Sequence, residues 1–200
     1  MIAIVDYGAG NLRSVERALL ACGARPYITA DPAALDEADG IVLPGVGAFG
    51  PALARLQNAG LGRRLVEVAR GGKPVLGVCL GYQLLFEESD EGGRHEGLGL
   101  LPGGVARVTA SRRVPVIGWC RVRRTRPSSL WQGLDDATWL YFVHSYAPLE
   151  CTYAVAQTEH VQAAAAEHGN VFGTQFHPEK SGPEGLRIYA NFVSRCRELT

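Results

Sequence analysis

The sequence predicts an α/β fold, an open sheet whose short strands alternate with helices. Three observations carry that reading. Ile2-Ala3-Ile4-Val5, Ile41-Val42-Leu43 and Val75-Leu76-Gly77-Val78 are apolar or glycine throughout, the pattern of parallel strands covered on both faces. Segments of helical periodicity separate them. Hydrophobic residues at 46% and charged residues at 20% are globular proportions, and 200 residues fit one domain spanning 1–200.

Taken in order, the run from Ile2 to Asp6 is the first strand. The turn Tyr7-Gly8-Ala9-Gly10-Asn11 leads to a helical stripe of Leu12, Val15, Leu19 and Cys22, which Gly23 stops. Pro26 to Ala30 forms a second strand, and Ile41-Val42-Leu43 a third that ends in Pro44-Gly45-Val46-Gly47. Residues 51–70 are helical with a break near Gly60, and Val75 to Val78 is the next strand. After about residue 90 helices largely give way to strand-like segments near 104–109, 114–118, 138–143, 152–157, 161–166 and 171–175. These read as antiparallel strands added to the parallel sheet. A final helix over 184–198 places Leu186, Tyr189, Val193 and Cys196 on one face.

Charge removes several functions. Lys+Arg 20 and Asp+Glu 20 balance, so the chain lacks the field by which a dedicated nucleic-acid binder displaces counterions, and no anionic membrane partner is implied. The longest apolar stretch, Pro74 to Phe86, falls short of the ~20 residues a membrane-spanning helix needs. Asp6 interrupts the amino terminus before any secretory pattern develops, so a cytoplasmic setting is expected. Cys22, Cys79, Cys120, Cys151 and Cys196 are odd in number and lack a C-x-x-C pair, which disfavours a disulfide framework or a zinc ribbon.

One of these cysteines stands in a motif. Gly77-Val78-Cys79-Leu80-Gly81 matches G-x-C-x-G, a strand-to-helix elbow with cysteine as nucleophile and glycines where neighbouring backbone must approach. The amino end of the helix starting near Leu80 favours thiolate over thiol. The same residues are also compatible with a buried cysteine between small neighbours. A second segment, Gly173-Thr174-Gln175-Phe176-His177-Pro178-Glu179-Lys180, supplies the missing base. Pro178 holds His177 extended, and in an extended run residues two apart share a side, so Glu179 can meet one imidazole nitrogen and leave the other for Cys79. Cys79, His177 and Glu179 thus form a candidate relay, against the alternative of a histidine and glutamate in a solvated turn. His95, His160 and His168 lack an acid at such spacing and are read as structural or surface residues. For a developing oxyanion, the Leu80 N–H after the nucleophile is one candidate donor, and a flipped peptide presenting Gly45 or Val46 N–H is another. A simple glycine turn at 44–47 is equally compatible.

With these residues in view, the chain resembles the class I (triad) glutamine amidotransferases, whose paired signature matches GVCLGYQ at 77–83 and QFHPE at 175–179. DYGAGNLRSV, LPGVGAF at 43–49, YFVHSY at 141–146 and GTQFHPEKSG at 173–182 look like the HisH type, the glutaminase subunit of imidazole glycerol phosphate synthase in histidine biosynthesis. The resemblance implies a flavodoxin-like, mostly parallel open sheet with antiparallel additions. It implies that Cys79 attacks the side-chain amide of L-glutamine, that His177 protonates the departing ammonia, and that water hydrolyses the glutamyl thioester. It implies no cofactor and no metal. Gln83 and the backbone around Gly47, Ser145 and Tyr146 would hold the amino-acid end of the substrate. The partner would be a HisF-type (β/α)-barrel cyclase in a heterodimer, met at Trp119 and Lys180, to which ammonia passes unreleased.

One stretch departs from that pattern. Where the family shows Pro-His-x-Gly-Trp-Asn at the partner-facing surface, this chain has Pro115-Val116-Ile117-Gly118-Trp119-Cys120. A paralogous ammonia donor to a cyclase-like synthase of amidinated surface sugars is therefore the alternative. The nearby arginines, Arg112, Arg113, Arg121, Arg123, Arg124 and Arg126, read as a solvated loop, with docking as the other possibility. A free-standing cysteine hydrolase would account for the relay but not for Gln83 or HPEKSG. An inert regulatory subunit would not retain Cys79, His177 and Glu179 together.

Overall fold

The computed structural model describes residues 1–111 and 113–198. In chain order the elements are β1 (Ile2–Val5), α1 (Leu12–Ala21), β2 (Pro26–Thr29), β3 (Gly40–Gly45), α2 (Phe49–Asn58) and α3 (Leu61–Arg70). There follow β4 (Val75–Cys79), α4 (Leu80–Leu84), β5 (Phe86–Ser89), β6 (His95–Glu96), β7 (Leu101–Arg107) and β8 (Val116–Arg124). The chain continues through β9 (Ala137–His144), β10 (Tyr146–Pro148), β11 (Ala154–Gln157), β12 (Ala165–His168), β13 (Val171–Thr174) and α5 (Gly182–Glu198).

The main sheet has nine strands in the order β2-β1-β3-β4-β13-β12-β11-β8-β9. From β2 to β13 neighbours run parallel; from β13 to β9 they run antiparallel. Period-2 alternation divides the core between the faces. Ile2 and Ile4 point to one face, where Val15 and Leu19 of α1 and Ile188, Tyr189 and Phe192 of α5 cover them. Ala3 and Val5 point to the other, under Leu53 and Leu56 of α2 and Leu65 of α3. Helices on both faces explain why these strands carry no polar alternation. The break expected near Gly60 is the left-handed residue between α2 and α3, at φ 71°.

At the far end the sheet is covered on one face only. β8 and β9 pair in register, Trp119 opposite Tyr141 and Arg121 opposite Trp139. Val116 and Val122 of β8 and Leu140 and Phe142 of β9 face the core. Ile117, Trp119, Arg121 and Arg123 alternate outward.

The structure departs from several expectations. The segment expected at 104–109 does not join the parallel sheet: β7 lies in a second, four-stranded sheet of order β10-β7-β5-β6. β5 and β6 are short and partly exposed, so hydrophobic patterning gave no sign of them. The arginine run is no loop over its central part, because Arg121, Arg123 and Arg124 belong to β8, which extends well past residue 118. Arg112 lies outside the described residues. Leu186 is 37% exposed, and the buried face of α5 is formed instead by Gly185, Ile188, Tyr189, Phe192, Val193 and Cys196. At 100° per residue Leu186 falls about 90° from the centre of that set, at the edge of the stripe. No helix among the described residues is long and apolar enough to cross a membrane.

Candidate active site

The site forms where β3, β4 and β13 end together. Parallel pairing sets Gly45 beside Cys79 and Thr174 beside Val78, so the turns after all three strands converge at the carboxyl edge of the sheet. Cys79 is the last residue of β4 and the N-cap of α4, and among the described residues it is the one non-glycine with positive φ, at 54°. Such a conformation costs about 1–3 kcal/mol and persists where the surroundings enforce it. Gly81 permits the close packing around it: a Cβ at that position would sit 1.8 Å from the Leu43 carbonyl oxygen, so only glycine lets α4 start against β3. α4 is only five residues long, so its influence on the sulfur comes from its first free N–H groups, that of Leu80 foremost, more than from a long helix dipole.

His177 is extended at φ −99°, ψ 99°, but the next residues are not. Pro178–Lys180 form a 3-10 turn, and this turn, rather than an extended run, brings Glu179 back under the ring. His177 Nδ1 and Glu179 Oε1 are 2.7 Å apart, with both side chains almost fully buried. Tyr189 of α5 donates its hydroxyl to Glu179 Oε2 at 3.4 Å. The His177 backbone is fixed to β9: its N–H donates to the Tyr141 carbonyl, and its carbonyl accepts from Ser181 Oγ at 2.6 Å, while Ser181 Oγ accepts from Tyr141 N–H. Burial alone would lower the His177 pKa. Cys79 and Glu179 outweigh it by stabilising the imidazolium, and the value is raised to about 10. Nε2 is buried without a hydrogen-bond partner among the described residues, which leaves it available to a reacting group.

Around the sulfur lie two weaker contacts. The Cys79 thiol donates to the Val143 carbonyl at 4.0 Å, and Gln175 Nε2 donates to Sγ at 3.8 Å. Gln83, on α4, donates both amide hydrogens, to the Tyr146 carbonyl at 2.7 Å and to Gln175 Oε1 at 3.0 Å. Its Oε1 is then left free to accept a further hydrogen bond. Ser145 and Tyr146 follow β9 directly, so the substrate-holding candidates Gln83, Ser145 and Tyr146 come together; Val46 and Gly47 stand exposed beyond the end of β3. Gly47 has φ 105°, the freedom a peptide rearrangement there requires. Pro44 O, one residue before Gly45, accepts from the buried Tyr7 hydroxyl at 2.9 Å.

Trp119 and Lys180 are linked through Tyr141. The Trp119 and Tyr141 rings meet edge to face at 6.2 Å, and Lys180 Nζ stands 5.8 Å from the Tyr141 ring centre. Sequence reasoning missed Tyr7, Gln175, Ser181, Tyr189 and His144. Gln175 and Ser181 flank the His177 motif, and that adjacency was the available signal. His144 is buried with both ring nitrogens unpartnered among the described residues, and its pKa falls to about 4 through burial first and then the electrostatic influence of His160 and His177. It is therefore neutral at the pH where His177 is charged.

Comparison with known proteins places this arrangement. The family model described as glutamine amidotransferase class-I matches residues 3–196. An imidazole glycerol phosphate synthase subunit HisH from Moorella thermoacetica is 49% identical over 200 residues, covering 98% of this chain and 95% of that protein. One from Desulfitobacterium hafniense is 45% identical over 202 residues, with 96% and 93% covered. Among solved structures, a chain of PurLQS from Thermotoga maritima superposes with TM-score 0.74 at 20% identity, covering 97% of this chain and 97% of that one. Another, described as a glutamine amidotransferase, gives TM-score 0.79 at 17% identity, with 98% and 100% covered. At those identities the structures support the fold alone, whereas the sequence relatives reach further. The chain belongs to the class I glutamine amidotransferases and, within them, to the HisH subunits of imidazole glycerol phosphate synthase.

Proposed function

We infer that this chain is the glutaminase subunit of imidazole glycerol phosphate synthase, supplying ammonia to a cyclase subunit in histidine biosynthesis. The observation that carries the chemistry is the buried 2.7 Å contact between His177 and Glu179, with Cys79 acting on the same imidazole. A His177 pKa raised to about 10 means that the imidazole is protonated at neutral pH and can give that proton to the departing nitrogen.

The Cys79 thiolate attacks the carboxamide carbon of glutamine. The oxyanion that forms is held by Leu80 N–H and by an N–H of the Gly45-Val46 segment, each such donor contributing about 3 kcal/mol. Collapse breaks the C–N bond as His177 Nε2 gives its proton to the nitrogen, and ammonia leaves. The now neutral imidazole takes a proton from water, which attacks the thioester; glutamate departs and the thiolate returns. Glu179 holds the ring through Nδ1 and stabilises the imidazolium in both halves. Gln83, with the backbone at Gly47, Ser145 and Tyr146, holds the amino-acid end of the substrate.

The cyclase is a HisF-type barrel forming a heterodimer with this chain. It docks on the outer face of β8 and β9, where exposed Trp119 and Trp139 stand with Tyr141 and Lys180. Val116 is buried in the core, so the departure from the family motif at that position alters packing rather than the docking surface. The test is release of glutamate from glutamine by the purified chain, alone and with the cyclase of the same genome charged with its nucleotide ligand. Stimulated hydrolysis and glutamine-dependent product formation are expected. Stimulation only by a different cyclase-like synthase would reassign the partner; hydrolysis that no synthase stimulates would remove the subunit role.

A further inference from the structure

We propose that Gln175 is a catalytic residue whose side-chain amide stabilises the Cys79 thiolate, a role resting on the glutaminase reading above. Gln175 is wholly buried, and its orientation is set by a chain of bonds that permits only one arrangement. The Tyr146 carbonyl can only accept, so Gln83 must turn its NH2 group toward it. That NH2 group spends its second hydrogen on Gln175, which must answer with its oxygen. The Gln175 NH2 group is thereby forced toward sulfur, at 3.8 Å. A backbone bond from Gln175 N–H to the Ala164 carbonyl fixes the residue from the other end.

The sulfur thus has a partner for each protonation state. As a thiol it donates to the Val143 carbonyl; as a thiolate it can only accept, and Gln175 is the donor waiting there. Ionisation exchanges the first contact for the second, and an amide donating to an anion is stronger than the weak S–H contact it replaces. The same donor serves again when the thioester is cleaved and sulfur leaves as thiolate. Gln175 also ties the nucleophile to Gln83, so the side chain that meets the substrate's amino-acid end is two hydrogen bonds from the attacking atom.

The test is the pH dependence of Cys79 alkylation by iodoacetamide, which needs no glutamine turnover and so stands or falls separately from the glutaminase reading. Gln175→Met keeps the volume and removes the donor; its alkylation midpoint moves up by about 1 pH unit, and the rate at pH 7 falls roughly tenfold. Gln175→Glu keeps the acceptor for Gln83, and because the carboxyl loses its proton before the thiol does, the midpoint moves further up. With glutamine, kcat falls more than KM rises in Gln175→Met, whereas Gln83→Met chiefly raises KM. A folded Gln175→Met or Gln175→Glu whose alkylation profile overlays that of the unaltered chain overturns the proposal. Should neither variant fold, the Gln175 side-chain amide resonance of the unaltered chain decides: it shifts as Cys79 ionises, and a resonance indifferent to that titration is equally fatal.

Discussion

The carboxyl edge of β3, β4 and β13 and the outer face of β8 and β9 invert the usual placement of side chains. At the first, a histidine, a glutamate and two glutamine amides are buried and joined by short contacts. At the second, Ile117, Trp119 and Trp139 are 64%, 52% and 58% exposed among arginines. The contacts between His177 and Glu179 and between Gln83 and Gln175 hold these side chains in place, so the first region is organised before any ligand arrives. Exposed aromatics in a cluster keep apolar surface in water that a partner could cover, so the second is a candidate binding face. One end of the sheet holds the candidate active site; the other carries the exposed face proposed to receive the cyclase.

This contrast predicts opposite responses to substitution, and the largest lie at the buried end. Cys79→Ala abolishes glutamine hydrolysis, by at least about 10³-fold, while ammonia-dependent synthesis by the cyclase continues. His177→Ala loses a similar amount, and the double variant is little worse than either, because residues acting as a unit are non-additive. Assays with glutamine and with ammonium salts separate these outcomes; a double variant far below both singles would break the assigned coupling.

Glu179→Gln keeps the shape but removes the charge, and kcat should fall about 10²-fold. Its diagnostic is the His177 titration, followed by NMR of the ring protons. The pKa of about 10 drops when Glu179 is neutralised, and drops also in Cys79→Ala, since each is a cause of the elevation. The sign for stability follows: a pKa raised above the unfolded value of ~6.5 stabilises the fold fully below that pH, and the benefit is lost as pH rises toward 10. Denaturant midpoints measured from pH 6 to 10 should decline more in the unaltered chain than in Glu179→Gln. Equal declines would mean that the pair does not govern the titration.

At the exposed face the effects belong to binding. Trp119→Ala should weaken cyclase binding by about 2 kcal/mol, roughly 30-fold, without altering the alkylation of Cys79 in the free chain. Calorimetry reads the first and mass spectrometry the second; an unchanged affinity would show that the face is not the docking surface. Smallest of all, Arg121→Ala at the rim should change affinity by under about 1 kcal/mol, with most of the loss in the association rate and its salt dependence.

Sequence alone made legible those features that reside in contiguous residues. The G-x-C-x-G elbow and the His177-Pro178-Glu179 segment each lie within a few positions, so spacing already restricts their geometry, and the alternation of apolar strands and helices follows from local periodicity. Even there the local inference was incomplete, since a 3-10 turn and not an extended chain carries Glu179 to His177. What only the tertiary structure decided is which distant elements meet. Insertion of β13 beside β4 places Gln175 against Cys79 and Gln83 across more than ninety residues, and the Tyr7 hydroxyl, just past β1, reaches the Pro44 carbonyl on neighbouring β3. Strand order likewise assigned β7 to a second sheet and gave β8 and β9 their open face. Periodicity specifies which face of an element is buried but not what it is buried against, because pairing between distant strands depends on the packing of the whole chain.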